Sequence, residues 1–325
     1  MTFRTLVLFI VIIFAATVAI AQTQTDEQKA AQAIAAAPDV PKKLKAGEDF
    51  IKKYPKSPLR TQVARGIADQ VTGVTDSAQK ISLAQEFQQS FTEPSEQEII
   101  LPVLIEALTQ AKRSDEAFTT GSAFIAKNPD SLWVLIQLLA SSSQEAKNKN
   151  PKYAAQGLQY GKHAIELIEA GKKPNDIDDA AWTKYKTETL PTIYQSMGLL
   201  SLVSGDRAQA VASYTKASEL APTDVFNVLM LAGIINDEYQ AQAKKYQAMP
   251  AGAAKDDELK KTQAIMDKVI DSYARAVALS EGNATYAQVR QQYMQDLESY
   301  YKYRHNGSSD GMQQLIDKYK PAPKP

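Results

Sequence analysis

Residues 191–224 read PTIYQSMGLLSLVSGDRAQAVASYTKASELAPTD, and this stretch decides the fold. Apolar residues recur at three- and four-residue steps on both sides of a central turn signal, which is typical of two amphipathic helices. Gly198 and Ala210 would let these helices approach closely, and Tyr214 would fill the space beside the next unit. Pro222 would end the second helix before the next one is capped. The stretch therefore predicts an antiparallel helical hairpin.

This segment resembles the tetratricopeptide repeat, in which ten positions carry residues of defined type. Those positions are occupied here by Tyr194, Met197, Gly198, Gly205, Asp206, Ala210, Tyr214, Ala217, Leu220 and Pro222. The resemblance implies an α-solenoid, a superhelix of stacked antiparallel helix pairs in which each pair buries its apolar face against its neighbours. In that family the side chains of the first helices line a concave groove, which holds an extended or helical peptide.

The same skeleton recurs towards the N-terminus. Residues 47–57 (GEDFIKKYPKS) match residues 121–131 (GSAFIAKNPDS), and Phe50, Phe87 and Phe124 follow one another at intervals of 37 residues. Strand signals are nearly absent, and good helix formers such as Ala, Gln, Lys, Leu and Glu dominate. The sequence therefore predicts an all-α repeat domain over 22–319. Degenerate copies of the repeat occupy 27–55, 58–94 and 95–129.

The unit at 225–282 departs from the repeat in length, because it is about 25 residues longer than the usual 34-residue unit. The additional residues lie between Gln240 and Lys261 and are rich in helix formers. They predict an elongated hairpin in which both helices are lengthened and the turn falls at 250–252.

Three further segments complete the organisation. The unit at 131–172 is irregular, and residues 141–143 together with 147–151 are expected to make its turn. Residues 284–319 predict terminal helices, of which the first carries a tyrosine-rich stripe that would cover the end of the stack. Residues 320–325 (KPAPKP) predict a flexible Pro-rich tail.

The first 21 residues have the pattern of a secretory signal peptide. Arg4 precedes an apolar run over 6–20, and the run ends in Ala19-Ile20-Ala21, which offers small residues at the cleavage positions. We expect cleavage after Ala21 and a periplasmic or secreted protein. The alternative is an uncleaved N-terminal membrane anchor, although the run is shorter than the about 20 apolar residues that a spanning helix needs. No later run approaches that length.

Composition excludes several functions for this chain of 325 residues. It contains no Cys, which removes disulfides, thiolate metal sites, cysteine nucleophiles and a lipidated cysteine. Its 37 Lys and Arg balance 37 Asp and Glu, whereas a protein that binds nucleic acid broadly needs a basic surface. We expect no nucleic-acid partner.

Candidate catalytic and metal-binding residues are few. His163 and His305 are too distant in sequence to indicate a metal pair. Gly307–Gly311 satisfies the G-x-S-x-G esterase pattern, but that motif acts on a strand-to-helix turn, and no strand is predicted here. The acidic clusters at 176–179 and 256–258 stand where helix starts are expected, so capping explains them. The sequence therefore predicts no enzyme, no cofactor and no metal.

The remaining candidate site is the groove that the resemblance implies. In the tetratricopeptide repeat family, the chaperone-binding members clamp a carboxylate with Lys and Asn. The groove positions of this chain hold no Lys or Arg. An apolar groove with a few amides favours a hydrophobic peptide or helix as ligand. The groove-facing set, carried over by position, is Thr192, Gln195, Leu199, Leu202, Phe226, Leu229, Gly233 and Asn236.

These expectations favour a non-catalytic scaffold of the cell envelope that binds a protein or peptide. The envelope location also follows from a resemblance to exported repeat proteins whose second helices end in Tyr-Pro-x-Ser, as at 54–57. Two alternatives remain. The array could be a self-assembling structural spacer, hence a homo-oligomer, or a helical-repeat hydrolase with a site inside the superhelix.

Overall fold

The computed structural model describes residues 25–174 and 177–321. In these residues the chain is helical between its turns and contains no strand, so the predicted all-α class is confirmed. The helices are α1 (Asp26–Ala36), α2 (Val40–Lys53), α3 (Arg60–Thr72), α4 (Ser77–Ser90), α5 (Pro94–Gln110), α6 (Ser114–Ile125), α7 (Leu132–Lys147), α8 (Ala154–Glu169), α9 (Asp179–Val203), α10 (Arg207–Leu220), α11 (Val225–Ala248), α12 (Ala253–Leu279), α13 (Ala287–Arg304) and α14 (Met312–Asp317).

The predicted signal peptide at 1–21 lies outside the described residues. Among the helices that are described, none combines the length and the apolar character that a membrane crossing requires. Most of the Pro-rich tail predicted at 320–325 also lies outside the described residues, so its flexibility stays a prediction. Lys320 is held by ion pairs to Glu281 (3.1 Å) and Asp317 (3.2 Å), while residues 322–325 lie outside the described part.

The helices pack in neighbouring pairs. The closest pairs are α7 with α8, α9 with α10 and α11 with α12. We call α3, α5, α7, α9 and α11 the first helices and the helix that follows each of them the second helix. The first helices α3, α5, α7 and α9 also pack against one another in chain order, so they form a continuous layer. Each element therefore contacts mainly its neighbours along the chain, as in repeat architectures.

Side-chain hydrogen bonds recur at about the repeat spacing. In the turn after α2, the Ser57 hydroxyl donates to a Glu27 carboxylate oxygen of α1 (2.9 Å). In the turn after α6, the Ser131 hydroxyl donates to a Glu98 carboxylate oxygen of α5 (2.5 Å). The two serines hold the same place in the matching stretches 47–57 and 121–131. The turn that follows a helix pair is thus tied to the first helix of that pair, which fixes the start of the next one.

Glycine allows neighbouring helices to pack closely at the two matching positions, Gly47 and Gly121. A Cβ atom on Gly47 of α2 would lie 2.6 Å from a side-chain carbon of α3, and one on Gly121 of α6 would lie 2.6 Å from a side-chain carbon of α7. Within the clearest repeat, a Cβ atom on Gly198 would lie 2.8 Å from the ring of Tyr214. Real Cβ atoms do not approach other atoms so closely, so a larger residue at any of the three positions would force its neighbour to move: the Ile67 or Leu138 side-chain end at Gly47 and Gly121, and the Tyr214 ring at Gly198. The expected role of Gly198 is confirmed.

The elongated hairpin is confirmed as well. Helices α11 and α12 contain 24 and 27 residues and are joined at 249–252, where the turn was predicted. Beyond them, α13 packs on α12, and the hydroxyls of Tyr293 and Tyr300 donate to the Leu229 carbonyl and the Asn236 amide oxygen of α11. These bonds span 64 residues, against 30 and 33 for the two serine bonds, because the long hairpin lies between the partners.

Two boundary predictions need correction. Residues 141–143 do not form a turn, because they are buried inside α7 and the turn begins only after Lys147. Their small side chains admit α8, since a Cβ atom on Gly157 would lie 2.4 Å from the Ser142 Cβ. The first helix of the clearest repeat also starts earlier than residue 191. It begins at Asp179, is capped by the Asp178 side chain, and carries Pro191 in its interior.

Candidate peptide-binding face

The eight groove residues predicted from sequence have different environments in the structure. On α9, Thr192 and Leu199 are half-buried and keep accessible surface. Gln195 instead donates to the Asn227 amide oxygen (3.0 Å), so it serves the contact between α9 and α11. Leu202 packs with Phe226 in the small apolar cluster between α9, α10 and α11. Phe226 is also half-buried, with its ring 6.4 Å from that of Tyr214.

The other three predicted residues lie on α11 and face α13. Leu229 is buried, and its carbonyl accepts the hydroxyl of Tyr293 (3.2 Å). A Cβ atom on Gly233 would lie 3.3 Å from the same hydroxyl oxygen. Asn236 accepts the hydroxyl of Tyr300 (3.0 Å). The chain's own α13 therefore occupies this side of α11, and a role of these residues in ligand binding stays a prediction.

Helix α5 shows which side of the first-helix layer is accessible. Towards α3, Arg60 bonds the carboxylate of Glu96 through two nitrogens (2.8 and 3.0 Å), and towards α7, Glu98 accepts from Ser131. The fully buried residues of α5 pack into the main core. The stripe left between the α3 and α7 flanks is half-buried and mostly apolar, and it consists of Ile99, Pro102, Val103 and Glu106.

The corresponding stripe on α7 consists of Trp133, Ile136, Gln137 and Ala140, which are all half-buried. The ring of Tyr185 on α9 meets Trp133 edge to face, with 4.8 Å between the centroids. Tyr185 in turn stacks on Trp182 at 5.8 Å. Desolvation raises the pKa of the Tyr185 phenol, so it stays neutral at physiological pH. We call the residues Ile99, Val103, Trp133, Ile136 and Tyr185 the aromatic strip.

Sequence reasoning missed the aromatic strip, although one signal was available. The chain holds two tryptophans, and both lie here, one on α7 and one in the early part of α9. Trp182 is buried, whereas Trp133 retains exposure. Tryptophan and tyrosine are enriched where proteins bind one another, because a large rigid ring buries much area at little entropic cost.

The charge of this face is mixed, because α9 places Lys184 and Lys186 on either side of Tyr185, and the Lys186 ammonium lies 5.7 Å from the centre of the Trp182 ring. Helix α5 carries Glu96, Glu98 and Glu106 and has no Lys or Arg anywhere in its sequence. Glu96 is buried and paired with Arg60. The hydrogen bonds to the Glu96 carboxylate raise the pKa of the Arg60 guanidinium. Glu106 lies on the accessible stripe and accepts from Gln110 within the same helix (2.9 Å). On α9, the exposed Glu188 forms an ion pair with Lys184 at 3.9 Å.

The sites considered for chemistry have structural roles. His163 lies 3.3 Å from Asp130 and 3.3 Å from Glu166, both exposed, and His305 stacks on Tyr301. Residues 307–311 form a loop between α13 and α14, two helices that are joined without any strand in this described part of the chain. Across 25–174 and 177–321 no group of three or more His, Asp or Glu side chains is placed to hold a metal ion.

The acidic clusters also have partners within the chain. Asp178 caps α9, as expected. Glu258 differs from the capping prediction, because it is buried in the elongated hairpin, where it pairs with Lys245 and Lys261. A recess between α12, α13 and α14 contains Asp267 and Asp271, but Arg304 binds the first and Tyr319 donates to the second.

Comparison with known proteins adds no name: no protein-family model matches the chain, and no curated protein matches it. The described residues therefore define this protein by architecture, as an all-helical, repeat-like array of helix pairs. A notable feature of the array is the half-buried apolar and aromatic face that α5, α7 and α9 present.

Proposed function

We propose that this protein is a non-catalytic scaffold that binds a protein or peptide against the concave face of a tetratricopeptide-like superhelix. The observation that carries the proposal is the continuous layer of first helices, in which α5, α7 and α9 present half-buried apolar side chains, whereas the outward-facing residues of α3 are polar. Solvent-facing helices normally carry polar residues on their outer side. A half-buried apolar stripe that runs across several helices is typical of a binding groove.

The cellular location is part of the same proposal. The pattern at 1–21 supports export and cleavage after Ala21, and hence a periplasmic or secreted protein. Retention of this segment as an N-terminal anchor is the alternative.

The groove predicted from sequence gives a direct test. Leu199 is half-buried and packs against the apolar core around α7, α8 and α9. In Leu199→Lys the aliphatic stem can cover the same surface while the charge reaches solvent, so we expect the melting temperature to be preserved and partner capture to be weakened. A photo-crosslinking residue at Thr192 should label a partner in the envelope fraction, whereas one at Thr215, exposed on second helix α10, should not. Equal labelling from both positions, or unfolding of Leu199→Lys, would contradict the groove assignment.

A measurement of oligomeric state addresses the rival in which the array is a self-assembling spacer. The outer side of α13 is exposed and polar, and it consists of Gln288, Gln291, Gln292, Gln295 and Ser299. Terminal helices of repeat arrays carry such polar faces where the stack ends. We therefore expect a monomer in light scattering after size exclusion, and oligomers in the absence of a partner would favour the spacer.

A further inference from the structure

We infer that the Asn306-Gly307 dipeptide is a deamidation site and that the end of α13 controls the reaction, whose product loosens the attachment of α14. The Asn-Gly pair occurs once in the chain, in the exposed loop between α13 and α14. The reaction needs only water, so it is independent of the partner that the proposed function requires.

The reaction balances with water as its co-reactant. The Gly307 nitrogen gives up its proton to hydroxide and forms a bond to Cγ of Asn306. The Cγ–Nδ2 bond then breaks, and the side-chain nitrogen takes a proton from water and leaves as ammonia. Water opens the resulting five-membered imide at either carbonyl, which yields aspartate or isoaspartate. Glycine favours the first step, because it has no Cβ atom to hinder the approach of its own nitrogen.

The C-terminal end of α13 keeps the attacking nitrogen paired. Asn306 has a positive φ of 53°, and the Gly307 N–H donates to the Lys302 carbonyl (2.7 Å). This is the long bond of a Schellman motif, in which a residue of left-handed conformation follows the helix end. The Gly307 nitrogen therefore keeps its proton while the motif is closed, and attack on Asn306 requires local opening.

Other helix ends show that the motif does not need asparagine. The same type of bond closes α5, α7, α8 and α9, where a backbone N–H donates to the carbonyl five residues earlier at 2.8 to 2.9 Å. The left-handed positions at these four helix ends are Lys112, Lys149, Gly171 and Gly205. None of them carries a side-chain amide, so residue 306 can be replaced without loss of the motif.

Deamidation at this position would loosen α14. This helix has six residues, and its attachments include the buried side chain of Ile316 and a bond from the Tyr301 hydroxyl to the Asp310 carbonyl (2.8 Å). A new carboxylate would lie at the C-terminus of α13, where free carbonyls already carry partial negative charge. Isoaspartate also lengthens the main chain between the Lys302 carbonyl and the Gly307 N–H. Both changes oppose closure of the motif that leads the chain into α14.

The test incubates the purified protein at mildly alkaline pH, once folded in buffer and once unfolded in guanidinium chloride. Peptide mass spectrometry follows the conversion of the amide at residue 306 to a carboxylate. We expect the folded protein to react at least about tenfold more slowly than the unfolded one, because only the open form of the motif reacts. Asn306→Gly retains the left-handed position and should show no conversion under either condition. Asn283, which is exposed and precedes Ala284, is the internal control and should stay unmodified over the same time.

Tyr301→Phe tests the control that the fold exerts. It removes the hydroxyl that binds the Asp310 carbonyl, so the motif should open more often and the folded protein should react about fivefold faster. The rate in guanidinium chloride should stay the same. Tyr303→Phe is the matched control, because Tyr303 is 64% exposed, and it should change neither rate.

Hydrogen exchange tests the effect on α14. The modified protein carries one more negative charge and can be separated by ion exchange. Its α14 amides should exchange at least about tenfold faster than those of the unmodified protein. Equal rates of deamidation in buffer and in guanidinium chloride would overturn the inference, as would the absence of conversion in the unfolded protein. Unchanged exchange of α14 in the isoaspartate form would overturn it as well.

Discussion

The helices of the N-terminal part approach one another over glycine, whereas those of the C-terminal part are joined by tyrosine. In α2, α6 and α8 a Cβ atom on Gly47, Gly121 or Gly157 would collide with the neighbouring helix at 2.4 to 2.6 Å. Between α11 and α13 the corresponding space is bridged by Tyr293 and Tyr300, which reach across and hydrogen-bond α11.

The difference follows from the length of the hairpins. Short pairs bury enough apolar area only if their backbones come close, so small residues are selected at the crossings. The lengthened α11–α12 pair has a long contact of its own, and large rings take part in its packing against α13. The rings of Tyr273 and Tyr293 stack there at 4.4 Å.

Glycine substitutions should give the largest difference between the two regions. Gly157→Ala places a Cβ atom 2.4 Å from Ser142 and 2.7 Å from Leu200, so we expect a loss of about 2–3 kcal/mol of unfolding free energy. Gly233→Ala meets only the Tyr293 hydroxyl at 3.3 Å, and the cost of moving that hydroxyl offsets part of the helix-propensity gain of alanine, so stability should change by less than about 0.5 kcal/mol. Urea unfolding followed by circular dichroism measures both changes.

Gly66→Ala provides the reference for that experiment. Gly66 is exposed in the middle of α3, and a Cβ atom added there would meet no other part of the protein within 4 Å. Alanine should therefore stabilise the protein by about 0.5–1 kcal/mol through helix propensity. A Gly157→Ala protein as stable as Gly66→Ala would show that close approach is not what glycine provides in the N-terminal part.

Removal of a tyrosine hydroxyl should stabilise the protein in one region and destabilise it in the other. Tyr214 lies at the end of the N-terminal part, in which helices approach one another at glycine. It is fully buried, and its hydroxyl has no hydrogen-bond partner among the described residues. Tyr214→Phe removes an unsatisfied polar group and should stabilise the protein by about 1 kcal/mol. Tyr293→Phe removes a hydroxyl that donates to the Leu229 carbonyl and should cost about 1 kcal/mol. Thermal melts of the two variants measure the difference, and changes of the same sign would contradict it.

The sequence predicted the parts of the molecule that depend on local spacing. The interval between Phe50, Phe87 and Phe124 and the match of Gly47 with Gly121 indicated the helix pairs, because crossings between adjacent helices recur at fixed positions. The elongated hairpin was also readable, since its added residues form helix without any distant partner.

The candidate site was predicted only in part, for a physical reason. Leu229 and Asn236 hold groove positions in the repeat pattern, yet the direction from which α13 covers them depends on the length of the preceding hairpin. The contact between Trp133 and Tyr185 requires α9 to extend upstream of Pro191, which a proline in the sequence argues against. Such contacts depend on how whole helices are placed, and no local pattern specifies that.

The smallest expected effect is a loss of stability in acid that arises at Glu258, near the tip of the elongated hairpin. A hydrogen bond from Lys245 lowers the pKa of Glu258 to about 2 from an ordinary value of 4.5. Because the folded state holds the carboxylate charged, its contribution to stability is complete above pH 4.5 and is lost as the pH falls towards 2.

Glu258→Gln tests this contribution and distinguishes the hairpin from the rest of the array. At neutral pH the variant should melt below the unsubstituted protein, and the gap between their melting temperatures should close as the pH is lowered from 4.5 to 2. Glu238→Gln, at an exposed position of α11, is the matched control and should show no such closing gap. A gap that stays constant over this range would mean that Glu258 stabilises the hairpin by packing and not by charge. The long pair would then resemble the N-terminal pairs, whose helices are held by close packing at glycine.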